Sequence, residues 1–353
     1  QAFRATRAAP CGQIQGQPAA MATPASRRGP LALRQLPGVA PGPSALCDLG
    51  ITAGALLIIG SVPGLPLLLA WLWWRARRAE PAERRSAWAL FAAALSGYLF
   101  LALVPVVRRP GLVQTTFFRW WLEYFSVRVA YRAGEPLPRG QYIFLLLPHG
   151  LYPFSGACAC ISRMVEVFGM RMATAPVGLR IPVIRHLMTW IGCVPVDRAS
   201  MSAALRAGDS IGLFPGGIGE MVRTNALSEQ LVLKDRKGFV QLALEHGLPI
   251  VPVYVFGQSV LWGQLPLPGF IETLSRWLRV SIILPFGRLG TFVPRKLPLL
   301  YAIGAPIACA KVQGAPLAEQ VEATQRAVLD SVRELYDFYK GAYGWEKRPL
   351  YID

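Results

Sequence analysis

Three groups of residues combine types and spacing suited to chemistry, and the first is built around a histidine. His149 directly follows a buried-strand pattern, in the run Leu147-Pro148-His149-Gly150. A histidine at the carboxyl end of a strand can reach a cleft and act as a general base, and Gly150 permits an unusual backbone turn. The alternative is a loop histidine that only makes a backbone hydrogen bond. On this run alone both interpretations stay open.

The second group is a glycine-rich turn that ends in a carboxylate, Phe214-Pro215-Gly216-Gly217-Ile218-Gly219-Glu220. The backbone N–H groups of Gly216 and Gly217 are candidates for stabilising an oxyanion. Glu220 is a candidate for orienting a protonated histidine, as the acid of a catalytic triad does. A tight turn followed by a solvated glutamate explains the same residues.

The third group is basic, and it stands at the start of a predicted helix over residues 236–246. Its sequence is Leu233-Lys234-Asp235-Arg236-Lys237-Gly238-Phe239. Cations at the start of a helix oppose the helix macrodipole, and a bound phosphate would remove that conflict. Arg236 and Lys237 are therefore candidates for binding phosphate. A solvated run of charges is the alternative.

The motifs that are missing remove several classes of enzyme. The sequence has no G-x-x-x-x-G-K-[ST], no G-x-G-x-x-G after a strand, no G-x-S-x-G and no H-E-x-x-H. Nucleotide hydrolases, dinucleotide oxidoreductases, serine hydrolases and the usual zinc proteases are therefore disfavoured. Of the six cysteines, only Cys158 and Cys160 are near neighbours, as a C-x-C pair. That spacing predicts neither a zinc site nor a disulfide framework, so we expect reduced thiols and no metal.

Alternating strands and helices must position these groups. Short apolar runs at 142–147, 210–214 and 249–256 alternate with helical patterns. This alternation predicts an α/β fold with a mostly parallel sheet covered by helices. Functional sites in such sheets gather at the carboxyl ends of the strands, which is where the histidine and the glycine-rich turn fall. We predict that this domain spans residues 111–353.

Charge and hydropathy set the N-terminal part of the chain apart. The 353 residues are 53% hydrophobic, yet carry a formal charge of +17. Strong basicity together with high hydropathy points to an anionic partner at a membrane, and no motif of a nucleic-acid-binding fold is present. Residues 1–47 contain no acidic residue. We predict a disordered basic tail there, with an organelle transit segment as the alternative.

Two uncharged stretches, 51–74 and 86–107, are separated only by an arginine-rich linker. The first has 24 residues, and a helix of that length spans about 36 Å, more than the roughly 30 Å of a hydrocarbon core. Pro63 and Pro66 are expected to kink or break it. We predict a transmembrane helical hairpin over residues 48–110, with two soluble core helices as the alternative. The aromatic segment 115–132 is predicted to be either an interfacial amphipathic helix or a core helix.

The ordered set of blocks resembles the type 2 diacylglycerol acyltransferase family from about residue 100 onward. The family pattern is a membrane hairpin followed by H-P-H-G, R-x-P-x-x-R, P-G-G-x-x-E, R-x-G-F-x-x-x-A and V-P-V-x-x-F-G-E. The matching runs in this chain are 147–150, 180–185, 215–220, 236–243 and 251–258. Leu147 replaces the first histidine of H-P-H-G, and Gln258 replaces the final acid.

The resemblance implies a membrane-bound, acyl-CoA-dependent O-acyltransferase that esterifies diacylglycerol to triacylglycerol. It implies His149 as the base and Glu220 as its acidic partner, because Phe154 occupies the position of the acid in the broader H-x-x-x-x-D acyltransferases. Acyl-CoA is a substrate, and no cofactor is needed. The remaining implied contacts are an oxyanion or turn role for Gly150, Gly216 and Gly217, CoA phosphates on Arg236 and Lys237, and neutral lipid on Phe100, Leu101 and Leu103.

Other functions stay open at this point. The acceptor is not set by the pattern, so monoacylglycerol, a fatty alcohol or a lysophospholipid are alternatives. A non-catalytic hairpin protein that coats lipid droplets is a further alternative, with Leu147 as a sign of lost activity. We expect the endoplasmic reticulum membrane as the location, with lipid droplets or a plastid as alternatives.

Overall fold

The computed structural model describes residues 34–35, 45–161, 168–265, 268–278, 283–310, 312–314 and 316–353. The predicted basic tail therefore lies outside the described residues, apart from a short strand and the first residues of a helix. The described helices are α1 (Ala45–Ile58), α2 (Ser61–Arg78), α3 (Arg84–Leu103), α4 (Thr116–Tyr124), α5 (Phe154–Ile161), α6 (Ile184–Trp190), α7 (Arg198–Arg206), α8 (Gly217–Arg223), α9 (Gly238–His246), α10 (Gly269–Leu278) and α11 (Leu317–Tyr343). The described strands are β1 (Arg34–Gln35), β2 (Arg128–Tyr131), β3 (Ile143–Leu147), β4 (Met170–Thr174), β5 (Val194–Pro195), β6 (Ser210–Leu213), β7 (Glu229–Leu231), β8 (Ile250–Phe256), β9 (Gly263–Gln264), β10 (Pro285–Phe286), β11 (Leu300–Ile303) and β12 (Leu350–Ile352).

Eight strands form one sheet in the order β1-β2-β11-β8-β3-β6-β4-β5. The run β8-β3-β6-β4-β5 is parallel throughout, whereas β11 is antiparallel to β8. The predicted α/β fold with a mostly parallel sheet is confirmed. Because β8, β3 and β6 are neighbours and run the same way, their carboxyl ends lie side by side.

β3 shows why the sheet is covered on both faces. All five of its residues are buried. Phe144 and Leu146 pack into a cluster with α1, α4 and α5, while Ile143, Leu145 and Leu147 pack into a second cluster with α9 and α11. A strand buried on both faces reads as a continuous apolar run. Leu147, where the family has histidine, is thus a fully buried core residue.

The first predicted membrane span, 51–74, is two helices in the structure. α1 and α2 meet at an angle of 55°. Pro63 lies in the first turn of α2, where proline is tolerated only because the helix begins there, whereas Pro66 lies inside α2 and does not break it. α1 then buries Ile51 and Ala55 in the core shared with α4. α2 and α3 pack against each other. Among the described residues, α3 alone is long and apolar enough to cross a membrane, or two spans exist if α1 and α2 count as one bent span.

The aromatic segment 115–132 contains a helix and a strand. α4 ends at Tyr124, and β2 begins at Arg128. Phe118 and Trp121 of α4 are buried in the core, and the hydroxyl of Tyr124 donates to the carbonyl of Pro294 at 2.7 Å. The core-helix interpretation therefore holds for α4, and the prediction of one helix over the whole segment is wrong.

Candidate active site

Three loops converge at the carboxyl ends of β3, β6 and β8. His149 lies two residues beyond β3, the glycine-rich turn follows β6, and Gln258 lies two residues beyond β8. Only the pairing of these strands brings the three loops together, since 71 residues separate His149 from Glu220. The sheet therefore builds the site from segments that are distant in sequence.

The imidazole of His149 is held in one tautomer by its own backbone neighbour. Its Nδ1 lies 2.8 Å from the carbonyl oxygen of Gly150. Because a carbonyl only accepts, Nδ1 carries the proton and Nε2 keeps its lone pair. The ring packs edge-on against Phe214, with centroids 5.4 Å apart. Burial lowers the pKa of His149, and the Gly150 carbonyl opposes that shift, so the ring is neutral near pH 7.

Gly150 has the backbone conformation that this contact needs. Its φ is +65°, and a Cβ there would lie 2.9 Å from Nε2 of Gln258. A side chain would thus be strained by the backbone angle and would collide with Gln258. Gly150 allows the turn, and its carbonyl orients the imidazole, a role that the sequence analysis predicted for Glu220.

The carboxyl group of Glu220 contacts the backbone of His149 and not its imidazole ring. Its Oε2 accepts from the backbone N–H of His149 at 2.7 Å, and its Oε1 accepts from the backbone N–H of Val232 at 3.1 Å. The expectation that Glu220 orients the ring directly is corrected. Buried backbone N–H groups at a strand end require partners, and this carboxyl group supplies two acceptors. Glu220 is therefore a positioning residue for the His149 main chain.

The surroundings of Glu220 make it easy to protonate. The residue is 1% exposed. Burial raises its pKa to about 7, although the N–H groups of His149 and Val232 and the charge of Arg236 pull the value down. Desolvation penalises a carboxylate more than two amide hydrogen bonds can offset. A buried carboxyl group that titrates near neutrality and bonds the main chain of a histidine marks a candidate functional site.

The two glycines of the turn have different roles. A Cβ on Gly216 would lie 2.0 Å from the carboxyl carbon of Glu220, so Gly216 allows that side chain to fold back over the turn. Gly217 has a φ of +52° and begins α8. Both are turn residues, and an oxyanion contact from either N–H stays a prediction.

The two predicted phosphate-binding cations point in different directions. Arg236 is exposed, and its Nη2 lies 3.7 Å from the position of a Cβ on Gly219, beside the glycine-rich turn. Lys237 instead forms an ion pair with Glu322 of α11. Only Arg236 is therefore adjacent to the site. The predicted helix 236–246 begins at Gly238 in the structure, so both cations lie in the segment that precedes it.

The predicted neutral-lipid motif lies on the last turn of α3. Phe100 and Leu103 are 64% and 75% exposed. The carbonyls of Leu101 and Val104 accept from Nη1 of Arg185 at 3.1 and 2.9 Å. Arg185 belongs to the R-x-P-x-x-R run, so this run fixes the end of α3 to the domain that carries His149.

An apolar pocket opens on the face of the sheet covered by α1, α4, α5 and α6. Its volume is about 350 Å³, including space open to solvent, and its lining includes Ile58, Phe117, Trp121, Phe154 and Leu187. Phe154 is the first residue of α5, five positions after His149. Sequence reasoning did not find this pocket, because its lining comes from four helices and no local pattern joins them.

Fold and site together define an α/β protein with a histidine at the carboxyl edge of a mostly parallel sheet and an apolar pocket on one face of that sheet. Residues 93–352 match the diacylglycerol acyltransferase family, and the chain belongs to that family. It is an acyltransferase.

The relatives differ in the acceptor that their names state. The chain is 27% identical to a diacylglycerol O-acyltransferase 2B from Umbelopsis ramanniana over 68% of this chain and 75% of that protein. It is 27% identical to human acyl-CoA wax alcohol acyltransferase 2, over 63% of this chain and 72% of that protein, and 28% identical to 2-acylglycerol O-acyltransferase 1 from Bos taurus, over 64% and 73%. A solved 1-acyl-sn-glycerophosphate acyltransferase from Thermotoga maritima is a distant structural likeness, with a TM-score of 0.40 and 13% identity over 83% of this chain and 94% of that one.

Proposed function

We propose that this protein esterifies diacylglycerol to triacylglycerol with acyl-CoA as the donor, and that His149 is the general base. The observation that carries this proposal is the Nδ1 contact with the Gly150 carbonyl at 2.8 Å. It leaves Nε2 as the basic nitrogen of a ring that burial keeps neutral.

In the proposed reaction, Nε2 takes the proton of the acceptor hydroxyl while the oxygen attacks the thioester carbonyl carbon. The new C–O bond forms, the C–S bond breaks, and the CoA thiolate receives the proton from the imidazolium. A base placed in this way contributes a rate factor of roughly 10²–10⁴. The N–H of Gly217 is the candidate donor to the oxyanion, and Arg236 is the candidate contact for CoA phosphates.

The apolar parts of the substrates need apolar surface. We assign the pocket lined by Trp121, Phe154 and Leu187 to an acyl chain, because the pocket is apolar and adjoins the segment that follows His149. Burial of each methylene contributes about 0.8 kcal/mol, so an apolar lining favours part of a fatty chain over a polar headgroup.

We further propose that α2 and α3 form a hairpin embedded in a membrane, in the endoplasmic reticulum or at a lipid droplet. Only 6% of the apolar window of α3 is buried within the protein. Near the end of α2, Arg75, Arg77 and Arg78 lie over Trp71, Trp73 and Trp74, an arrangement suited to the interface between lipid and water. A membrane location brings the site to the phase in which diacylglycerol is dissolved.

The experiment supplies the purified protein in lipid vesicles with labelled oleoyl-CoA and one acceptor at a time. The acceptors are diacylglycerol, monoacylglycerol, a fatty alcohol and a lysophospholipid. We expect triacylglycerol as the main product, and a loss of roughly 10²–10⁴-fold in kcat for His149→Ala. His246→Ala is the matched control, because that histidine ends α9 and contacts Ser202 of α7, before the chain enters β8 and away from the carboxyl ends of the strands.

Each outcome decides one part of the proposal. Full activity of His149→Ala would remove His149 as the base. A dominant ester of another acceptor would change the substrate assignment and leave the base in place. An inactive unmutated protein would favour the lipid-droplet coat.

A further inference from the structure

Gln258 is a buried amide that ties the end of β8 to the loop after β3. It is 1% exposed. Its Nε2 donates to the carbonyls of His149 at 3.0 Å and Tyr152 at 2.6 Å. Its Oε1 accepts from the backbone N–H of Ser155 at 2.9 Å. Both amide protons are thus used on carbonyl oxygens of the loop that carries the base.

The two carbonyls that Gln258 contacts flank, in sequence, the carbonyl that orients the imidazole. That carbonyl belongs to Gly150 and accepts from Nδ1 of His149. A Cβ on Gly150 would be 2.9 Å from Nε2 of Gln258 and 3.0 Å from its carbonyl oxygen. The amide of Gln258 and the turn at Gly150 are therefore packed against each other, and movement of one displaces the other.

We propose that Gln258, which stands where the family has an acid, is a positioning residue for the His149 base and that this position requires an uncharged side chain that donates hydrogen bonds to the loop carbonyls. The inference rests on the proposed role of His149. A carboxylate at this position only accepts, and it would face two carbonyl oxygens in a buried site. The protonated acid, in contrast, donates one hydrogen bond and still accepts from Ser155.

Several ionisable groups surround Gln258. His149 and Glu220 lie on the loop side, the hydroxyl of Tyr301 donates to the carbonyl of Ser155 at 2.6 Å, and the hydroxyl of Tyr343 approaches Gly257. Glu229 accepts from the neighbouring Ser259 at 2.6 Å and from Arg348 at 2.7 Å. Because Arg348 is already paired, a glutamate introduced at position 258 gains no unpaired arginine or lysine from this set, and burial raises its pKa. Its acid form is favoured as the pH falls.

The chain offers a matched control. Nε2 of Gln141 also donates to two carbonyls, those of Leu205 at 2.6 Å and Asp209 at 2.7 Å. Gln141 precedes β3, so the length of that strand, about 16 Å for five residues, separates it from the carboxyl edge. Gln141→Glu creates the same clash of carboxylate and carbonyls without touching the base.

The experiment compares kcat and KM for the unmutated protein, Gln258→Glu, Gln258→Met and Gln141→Glu between about pH 6 and pH 9, with near-ultraviolet circular dichroism as the check of folding. For Gln258→Glu we expect kcat to fall roughly 10–100-fold at the alkaline end, with KM for acyl-CoA changed by less than about twofold. Its kcat relative to the unmutated protein should rise as the pH falls. Gln258→Met should lose kcat without this recovery, and the relative kcat of Gln141→Glu should not depend on pH.

A relative kcat of folded Gln258→Glu that is independent of pH would overturn the proposal. If Gln258→Glu does not fold, Gln258→Met decides, and full kcat in that variant also overturns it. Failure of both variants to fold, under conditions in which Gln141→Glu folds, would make Gln258 a residue of stability and not of positioning. An inactive unmutated protein would instead refute the proposed function, so the two failures are distinguishable.

Discussion

Two glutamates of this protein are equally buried and have opposite surroundings. Glu220 and Glu229 are each 1% exposed. The carboxyl group of Glu229 accepts from Nε of Arg348 at 2.7 Å, from Ser259 at 2.6 Å and from Tyr254 at 2.9 Å. Glu220 accepts only from backbone N–H groups in the described contacts.

The arginines near these glutamates differ in the same way. Arg348 has a side chain that is 10% exposed, and it also donates to carbonyls of the loop 225–228, which ties β12 to β7 at the C terminus. Arg236 is exposed beside the glycine-rich turn. Burial raises the pKa of both carboxyl groups, but only that of Glu229 is lowered again by a directly bonded cation. The region around Glu229 is therefore built for stability, and the region around Glu220 retains an available cation and a titrating acid.

The most severe test of this comparison is Arg348→Ala. The change leaves the Glu229 carboxyl buried without its cation, and breaking a buried pair in this way costs about 3–5 kcal/mol. We expect that loss in the free energy of unfolding, measured by urea denaturation in detergent. Arg333→Ala, which removes an exposed pair with Asp330, is the control and should cost less than about 0.5 kcal/mol. Equal losses in the two variants would show that the Glu229 region is not a special source of stability.

The second test concerns how stability depends on pH. The pKa of Glu220 in the folded protein, about 7, lies above its ordinary value of 4.5. The folded protein therefore binds the proton more tightly than the unfolded chain, so this stabilisation is complete below the ordinary pKa and is lost as the pH rises through about 7. The loss amounts to about 3 kcal/mol.

Glu220→Gln isolates this contribution, because glutamine does not titrate. Between acidic and alkaline pH, the free energy of unfolding of the unmutated protein should fall by about 3 kcal/mol relative to that of Glu220→Gln. The same measurement of the free energy of unfolding on Glu229→Gln serves as the comparison at the other buried carboxyl group. A constant difference between the unmutated protein and Glu220→Gln across this range would mean that Glu220 does not titrate near neutrality.

The smallest effect is expected at the available cation. Arg236→Ala should raise KM for acyl-CoA by roughly 3–10-fold, with kcat nearly unchanged, because an exposed charge contributes modestly to binding a phosphate. Lys237→Ala is the control, since its ammonium is paired with Glu322. The effect of Arg236→Ala should weaken at high salt. A larger effect from Lys237→Ala would reverse the assignment of the phosphate contact.

Sequence reasoning predicted the strands around the site closely. The strand predicted over 142–147 is Ile143–Leu147 in the structure, and the strand predicted over 249–256 is Ile250–Phe256. Continuous apolar runs bounded by proline and glycine leave few other interpretations. The strand Met170–Thr174 and the C-terminal pairing of Leu350–Ile352 with β7 were missed, because their patterns are short and depend on a partner strand.

The amino-acid sequence by itself determined the alternation that makes the sheet, the placement of His149 at a strand end, the glycine that its turn requires and the apolar character of α3. These follow from local physical chemistry: hydropathy period, backbone freedom and the absence of charge. Only the tertiary structure decided that Glu220 bonds the His149 backbone and not the ring, that Lys237 faces Glu322, that Gln258 holds the loop of the base, and that α1 packs into the core. Each of these depends on which segments the fold brings together, and contacts between segments far apart in the sequence leave no signature in either segment alone.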